Sequence, residues 1–399
     1  MTTKLKRALI YFVLTISLAA PGFGLPNNDD LESRPEGPQN PRARPPIRMA
    51  RPYVSTGPVG YSPAQIRHAY AIDQIVNQGA GQTIGIVVAY GSPTLQKDLD
   101  VFCKQYSLPF LTVQTIYGKN KPSSVNVSWA LETSLDVQWA HAIAPKAKII
   151  VSIAATSTNS NLLAAVDNAV KAGAKIISMS WGGSEFSTET AYETYFNRTG
   201  VSYFAATGDD GTSGGTSWPA VSPSVTAVGG TTLHLDGSGD LTAAEVAWSG
   251  SGGGFSLYFK CPAYQVGWTS SSQRAYPDIA MVADPLTGVA VYNSTPAAGN
   301  PGWRSIGGTS ASCPIAAASF ALVNEQRLAK GRRGFSGYNS SLYQLADRKS
   351  AAGLAFYPFY FYDVTAGNNG GFSATPLFDQ TTGFGSPNYE NIISVLSSF

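Results

Sequence analysis

Gln82-Thr83-Ile84-Gly85-Ile86-Val87-Val88-Ala89 is apolar and β-branched almost throughout, with no polar residue at every second position. A strand with one wet face would alternate; a run without alternation predicts a strand covered on both sides, the hallmark of a parallel sheet. Three further runs of the same kind follow, at 147–153, 175–180 and 201–206. Between them lie helical patterns at 94–106, 130–143, 161–172 and 189–197. Strand and helix in alternation predict an α/β fold: a doubly wound, mostly parallel sheet with helices on both faces and its site in loops at the carboxyl ends of the strands. No internal repeat is evident.

Outward from this sheet, the chain of 399 residues, 43% hydrophobic and 13% charged, is long enough to bury a sizeable core. Residues 1–24 read as a secretory signal: Lys4, Lys6 and Arg7, then an apolar run at 8–20, then Gly22-Phe23-Gly24 with small residues suited to cleavage. Residues 25–60 are rich in Pro, Arg and Gly without apolar periodicity and read as a poorly ordered segment; 61–399 read as the folded domain. A formal net charge of +2 and the lack of a dense basic patch argue against nucleic acid as a partner. No other stretch is long and apolar enough to cross a membrane, so none is expected once the signal is removed. Cys103, Cys261 and Cys313 are too few and scattered for a disulfide framework. Cys313 is read as a small apolar core residue.

The chemistry centres on Ser305-Ile306-Gly307-Gly308-Thr309-Ser310-Ala311-Ser312-Cys313-Pro314. Ser310 follows small residues and precedes a helical run, which places its hydroxyl at a helix N-terminus among unpaired N–H groups able to receive developing negative charge. A serine nucleophile needs a base. Only His68, His141 and His234 exist, and none has the setting expected of a triad histidine. Glu132 and Asp136 instead lie four apart on one helix face among Leu131, Leu135, Val137, Trp139 and Ala140. Two carboxyls held so close do not both ionise easily and share a proton. Thr207-Gly208-Asp209-Asp210-Gly211 follows a strand directly, where an acidic residue serves as a metal ligand, a cap or a protonated hydrogen-bond donor.

Together these residues resemble the sedolisin family of serine-carboxyl peptidases, which keep a subtilisin-like fold and use glutamate in place of histidine. The resemblance runs from Tyr61-Ser62-Pro63-Ala64-Gln65-Ile66-Arg67 to the C-terminus. It rests on Glu132 and on Asp136-Val137-Gln138-Trp139-Ala140-His141-Ala142-Ile143-Ala144-Pro145. Ser178-Met179-Ser180-Trp181-Gly182-Gly183, Gly208-Asp209, Trp218-Pro219-Ala220, Ala227-Val228-Gly229-Gly230-Thr231, Ser251-Gly252-Gly253-Gly254-Phe255-Ser256, Pro277-Asp278 and the Ser310 stretch complete it. It implies Ser310 as nucleophile, Glu132 as general base, Asp136 as the carboxyl that orients Glu132, and Asp209 in the oxyanion hole. Trp181, Gly182 and Gly183 would line the substrate cleft. It also implies one calcium ion on Asp363 and Asp379 with carbonyls of Val364, Thr375 and Leu377, although Thr375 and Leu377 stand where the family has glycine. Ala89 occupies a strand end where some relatives carry a further acid. Family members are made with a long folded prodomain, for which the stretch between Gly24 and Tyr61 is too short: either none is needed, a separate one acts, or this stretch blocks the cleft itself.

The expected activity is that of a secreted, monomeric endopeptidase acting at acid pH on protein or peptide substrates. Two alternatives compete: a catalytically silent secreted relative that binds peptides, and a neutral serine hydrolase with His141 as its base.

Overall fold

The computed structural model describes residues 23–24, 41–49, 54–118, 120–296, 300–335, 337–346 and 351–398. The expected signal segment, apart from Phe23–Gly24, which pairs antiparallel with Arg48–Met49, and much of 25–60 lie outside these residues. Among the described residues no helix is long and apolar enough to cross a membrane.

The four buried runs all become strands of one eight-stranded sheet. Thr83–Ala89 lies near its middle, flanked in parallel by Lys148–Ala154 on one side and Ile176–Met179 on the other. Gln114–Tyr117 extends the first side; Ser202–Ala206 and Val225–Thr232 extend the second, all in parallel. Ile279–Val282 also runs parallel to Val225–Thr232, whose end pairs antiparallel with Val246–Ala247. The two sides grow outward from Thr83–Ala89, so the loops leaving the central strands diverge and open a crevice at their carboxyl ends.

Helices Leu95–Tyr106, Val127–Ile143 and Asn159–Lys171 fall within a few residues of their predicted positions. The segment read as a helix at 189–197 is a 3-10 turn over Glu189–Tyr195. The central element is the helix Thr309–Ala329, which packs on the sheet and against Val127–Ile143. Both are buried nearly all round, as expected of helices between layers rather than on a surface.

A small antiparallel sheet, Val289–Asn293 with Gly302–Gly307, feeds directly into Thr309–Ala329. On its edge the structure departs from the expectation of disorder for 25–60. Arg48–Met49 pairs with Gly307 and Ile306, Ser55 bridges Trp303, and Tyr61 runs beside Val289. Isolated bridges also join Arg42 to Thr158 and Arg44 to Gly182. These partners are distant in sequence, so local composition gave no sign of them.

Candidate active site

Gly308 has φ 95°, and a side chain there would strike both Pro46 O and Asp209 Oδ2. Only glycine admits that backbone and that crowding. The turn it makes starts the helix at Thr309 and brings Ser310 to the first turn. Thr309 ties this turn to the loop after Ser202–Ala206: its hydroxyl accepts from Gly208 N–H at 3.0 Å, and its N–H donates to Asp209 Oδ1 at 2.8 Å. Asp209 is therefore fixed by one oxygen, while Oδ2 has no hydrogen-bond partner and points over Gly308.

Pro314 lies inside the same helix. Having no N–H, it leaves the carbonyl four residues back, that of Ser310, without its helical donor. Ser180 takes part of that vacancy: its hydroxyl lies 3.4 Å from Ser310 O and donates to Asp136 Oδ1 at 2.7 Å. A serine at the end of Ile176–Met179 thus connects the nucleophile's backbone to the carboxyl helix. Neither Ser180 nor Thr309 was singled out from sequence. Each sits inside a quoted motif, and its hydroxyl at a strand end or helix start was the available signal.

Glu132 projects from Val127–Ile143 toward Ser310 and Asp136 toward Ser180, and both are fully buried. The helix is held in rotation by Gln138, which exchanges hydrogen bonds with the Tyr292 backbone, and by Trp139 Nε1, which donates to Ala290 O at 2.9 Å. Neither Glu132 oxygen accepts a conventional hydrogen bond, and Ser310 Oγ has none either. Yet the Ser310 hydroxyl and the Asp136 carboxyl lie near enough to bias the titration of Glu132. These are contacts poised to close rather than closed, as is usual without substrate. Burial first, then the charge of Asp136, drives Glu132 well above the ordinary carboxyl range. Burial also raises Asp136, against the pull of the Ser180 hydroxyl. The pair keeps a proton at neutral pH. Burial pushes Asp209 up to about 7, opposed by the Thr309 N–H and the Arg48 guanidinium.

Glu132, Asp136, Asp209 and Ser310 are thereby brought together. His141 is not: its Nε2 is bonded to Pro109 O at 2.7 Å, and burial lowers its pKa, leaving a neutral, structurally anchored imidazole. Gly182 and Gly183 line a cavity of about 770 Å³ beside Gly208 and Asp209. Trp181 does not line it. Its ring is fully buried, donates from Nε1 to Val87 O at 3.1 Å and packs against Trp218, because alternation at the strand end turns it into the core while its glycine neighbours face the cleft. Cys313 is buried against Ser178, with its thiol pushed up to about 12, and all three cysteines are free.

The residues expected to hold calcium fit in part. Asp363 and Asp379 flank one turn, Asp379 nearly buried, and burial raises both above their ordinary values. Leu377 has φ 70°, the left-handed conformation for which glycine is favoured. However, N–H groups face the carboxylates: Leu377 N–H donates to Asp363, and Thr375, Thr381 and Thr382 N–H donate to Asp379. Among the described residues no group of three or more His, Cys, Asp or Glu gathers as a metal site.

The chain matches the subtilase family over residues 115–339. It is 32% identical to kumamolisin from Bacillus sp. (strain MN-32), with 87% of this chain and 67% of that protein covered. It is 27% identical to sedolisin from Pseudomonas sp. (strain 101), with 82% and 60% covered, and 31% identical to tripeptidyl-peptidase 1 from Dictyostelium discoideum, with 76% and 52% covered. It therefore spans between about half and two thirds of these relatives' lengths. Its fold superposes on Pseudomonas sedolisin, a serine-carboxyl proteinase complexed with two molecules of pseudo-iodotyrostatin, with a TM-score of 0.72 and 26% identity, covering 86% of this chain and 99% of that one.

Proposed function

The chain belongs to the sedolisin family of serine peptidases, and from that premise we propose that it is a secreted endopeptidase that hydrolyses protein or peptide substrates at acid pH through a Ser310 acyl-enzyme. The observation that carries the reading is the convergence of four buried groups, Glu132, Asp136, Asp209 and Ser310, with His141 turned away onto Pro109 O. Glu132 removes the Ser310 proton as the hydroxyl attacks the carbonyl carbon and returns it to the leaving amine. Glu132 and Asp136, the latter braced by Ser180, share one proton, which must pass to Asp136 for Glu132 to accept the proton of Ser310. The Ser310 N–H and protonated Asp209 Oδ2 donate to the oxyanion. A carboxyl donates only while neutral, so Asp209 favours activity below its pKa near 7. Activity also requires the Glu132–Asp136 pair to have lost one proton, which sets the acid limit.

Export is supported by the order of basic, apolar and small residues in 1–24. One calcium ion, bound by Asp363 and Asp379 with carbonyls of Val364, Thr375 and Leu377, would neutralise two carboxylates that no described basic side chain meets in an ion pair; its role is to fix this loop, outside the chemical step.

Casein digestion across pH, with Ser310→Ala and Glu132→Ala alongside wild type, tests the reading. Wild type is expected to be active below about pH 6, and each variant to lose at least about a hundredfold. His141→Ala should retain most of the activity. Wild type inert at every pH, or loss with His141→Ala while Glu132→Ala remains active, overturns it.

A further inference from the structure

The cleft edge at Gly183–Ser184 is a strand of two residues, paired antiparallel with Ser217–Trp218. A pair so short is not held by its own bonds and needs support from outside. Glu185 follows at once and supplies it: the Ser256 hydroxyl donates to its Oε1, and Leu257 N–H donates to its Oε2 at 2.9 Å. Both donors belong to the strand Gly254–Lys260. The stretch leading into that strand presses on the loop of Asp209, since Gly252 N–H donates to Gly208 O at 2.9 Å and a side chain at Gly252 would strike Thr207 O. Glu185 therefore ties both walls of the cleft, Gly182–Ser184 and Thr207–Asp209, to one support. Four residues on comes a second carboxyl, Glu189, which is fully buried. Its Oε2 accepts from Phe186 N–H at 2.9 Å, while its Oε1 has no conventional hydrogen-bond partner. The Glu185 carboxyl lies near enough to meet it. The other ionisable neighbours do not compensate the charge. Glu193 is a third acid with an unpartnered oxygen, and on the strand Gln273–Tyr276 the Tyr276 phenol is buried and Arg274 is paired with Asp278 Oδ2 at 2.6 Å.

Two carboxyls that meet away from water need a proton between them. Glu185 already has a donor on each oxygen, so the proton sits on Glu189 Oε1 and is donated to Glu185. We propose that Glu185 and Glu189 are positioning residues for the peptidase, a second proton-sharing pair that holds the edge Gly183–Ser184 where an extended substrate chain pairs with it; this role rests on the peptidase reading above. Glu189 acts through Glu185, and Glu185 acts through the backbone of the edge and the strand Gly254–Lys260. Neither touches the reacting atoms. Loss of the pair therefore weakens the binding of chain laid along the edge and spares the step at Ser310. Burial first, then the bond to Glu185, raises Glu189 from the ordinary value of 4.5 to about 9. An unfolded chain releases this proton sooner than the folded one does. The support is thus complete below about pH 4.5 and is lost as pH rises toward 9. Acid pH suits the cleft for a reason separate from Asp209.

Full-length wild type, Glu185→Gln, Glu189→Ala and Glu189→Gln are compared at pH 5 on a long chromogenic peptide and on p-nitrophenyl acetate, an ester too small to reach the edge. Glu189→Ala removes the donor to Glu185, and Glu185→Gln sets an N–H against one of the two donors from Gly254–Lys260. Each should raise KM for the peptide about tenfold, with kcat within about threefold and ester hydrolysis unchanged. Glutamine can accept from Phe186 N–H and donate to Glu185, so Glu189→Gln should restore KM to within about twofold of wild type. Its Tm should also fall less than that of wild type between pH 5 and 8, by about 4 °C, because the amide has no proton to lose. An unchanged KM in Glu189→Ala and Glu185→Gln, or a loss shared by kcat and the ester, overturns the positioning role and leaves the peptidase reading standing. A Glu189→Gln that behaves as Glu189→Ala does, or whose Tm falls in parallel with wild type, overturns the shared proton. A wild type that cleaves no peptide at any pH overturns the peptidase reading and this role with it.

Discussion

Asp209 concentrates the chemistry of the site in one carboxyl. Oδ1 is committed to the Thr309 backbone and hydroxyl, and Oδ2 is buried without a hydrogen-bond partner. Its pKa near 7 is raised from the ordinary carboxyl value chiefly by burial, so the folded protein holds it neutral below about pH 7 and charged above. Only the neutral form donates, hence the alkaline limb of kcat/KM should fall near that value. Asp209→Asn keeps an acceptor for Thr309 and places a permanent donor at the other position. We expect this variant to retain activity within about tenfold at pH 5 and to lose the limb near pH 7, extending turnover toward pH 8. A profile on a short peptide that still falls at pH 7 in Asp209→Asn would refute this role. Glu132 and Asp136 were legible because i,i+4 spacing needs only the helix period. Ser180 and Thr309 were not, since hydroxyls in turns are common and their importance depends on which strand end they meet.

At the scale of elements, the buried strands were readable because a parallel sheet covered on both faces leaves an uninterrupted apolar run. The structure places them at Thr83–Ala89, Lys148–Ala154, Ile176–Met179 and Ser202–Ala206, close to their expected limits. The order of those strands and the rotation of the two buried helices are non-local facts. Trp181 shows the limit: its neighbours Gly182 and Gly183 reach the cleft, but the side-chain direction of a residue leaving a strand depends on that strand's register. Trp181→Phe should therefore lower stability by about 1–3 kcal/mol, from the lost bond to Val87 O and the smaller ring. KM for peptide substrates should change less than about twofold. A raised KM with unchanged melting temperature would return Trp181 to the cleft wall. Residues 41–49 were the least legible element, because prolines and arginines carry no periodicity and their partners at Thr158, Gly182 and Ile306–Gly307 lie more than a hundred residues away.

For the whole molecule, the buried core is continuous from the central sheet to the C-terminal helix Tyr389–Leu396, while Asp363 and Asp379 flank a loop beside a separate small cluster of Ala247, Val364 and Ala374. A cation at that loop binds the folded chain alone and stabilises it by mass action. Calcium at a hundredfold excess over its Kd should raise Tm by about 4 °C, an effect reversed by a chelator and absent in Asp379→Asn. An unchanged Tm would exclude calcium there. Residues 41–49 also satisfy backbone groups at Ser157, Thr158 and Gly182, in the loops beyond two strands of the central sheet, that would otherwise be left unpaired. Groups left so pair with whatever extended chain arrives, including that of a second molecule. The chain therefore carries this border already hemmed, and self-association through it is held off for as long as residues 41–49 stay in place.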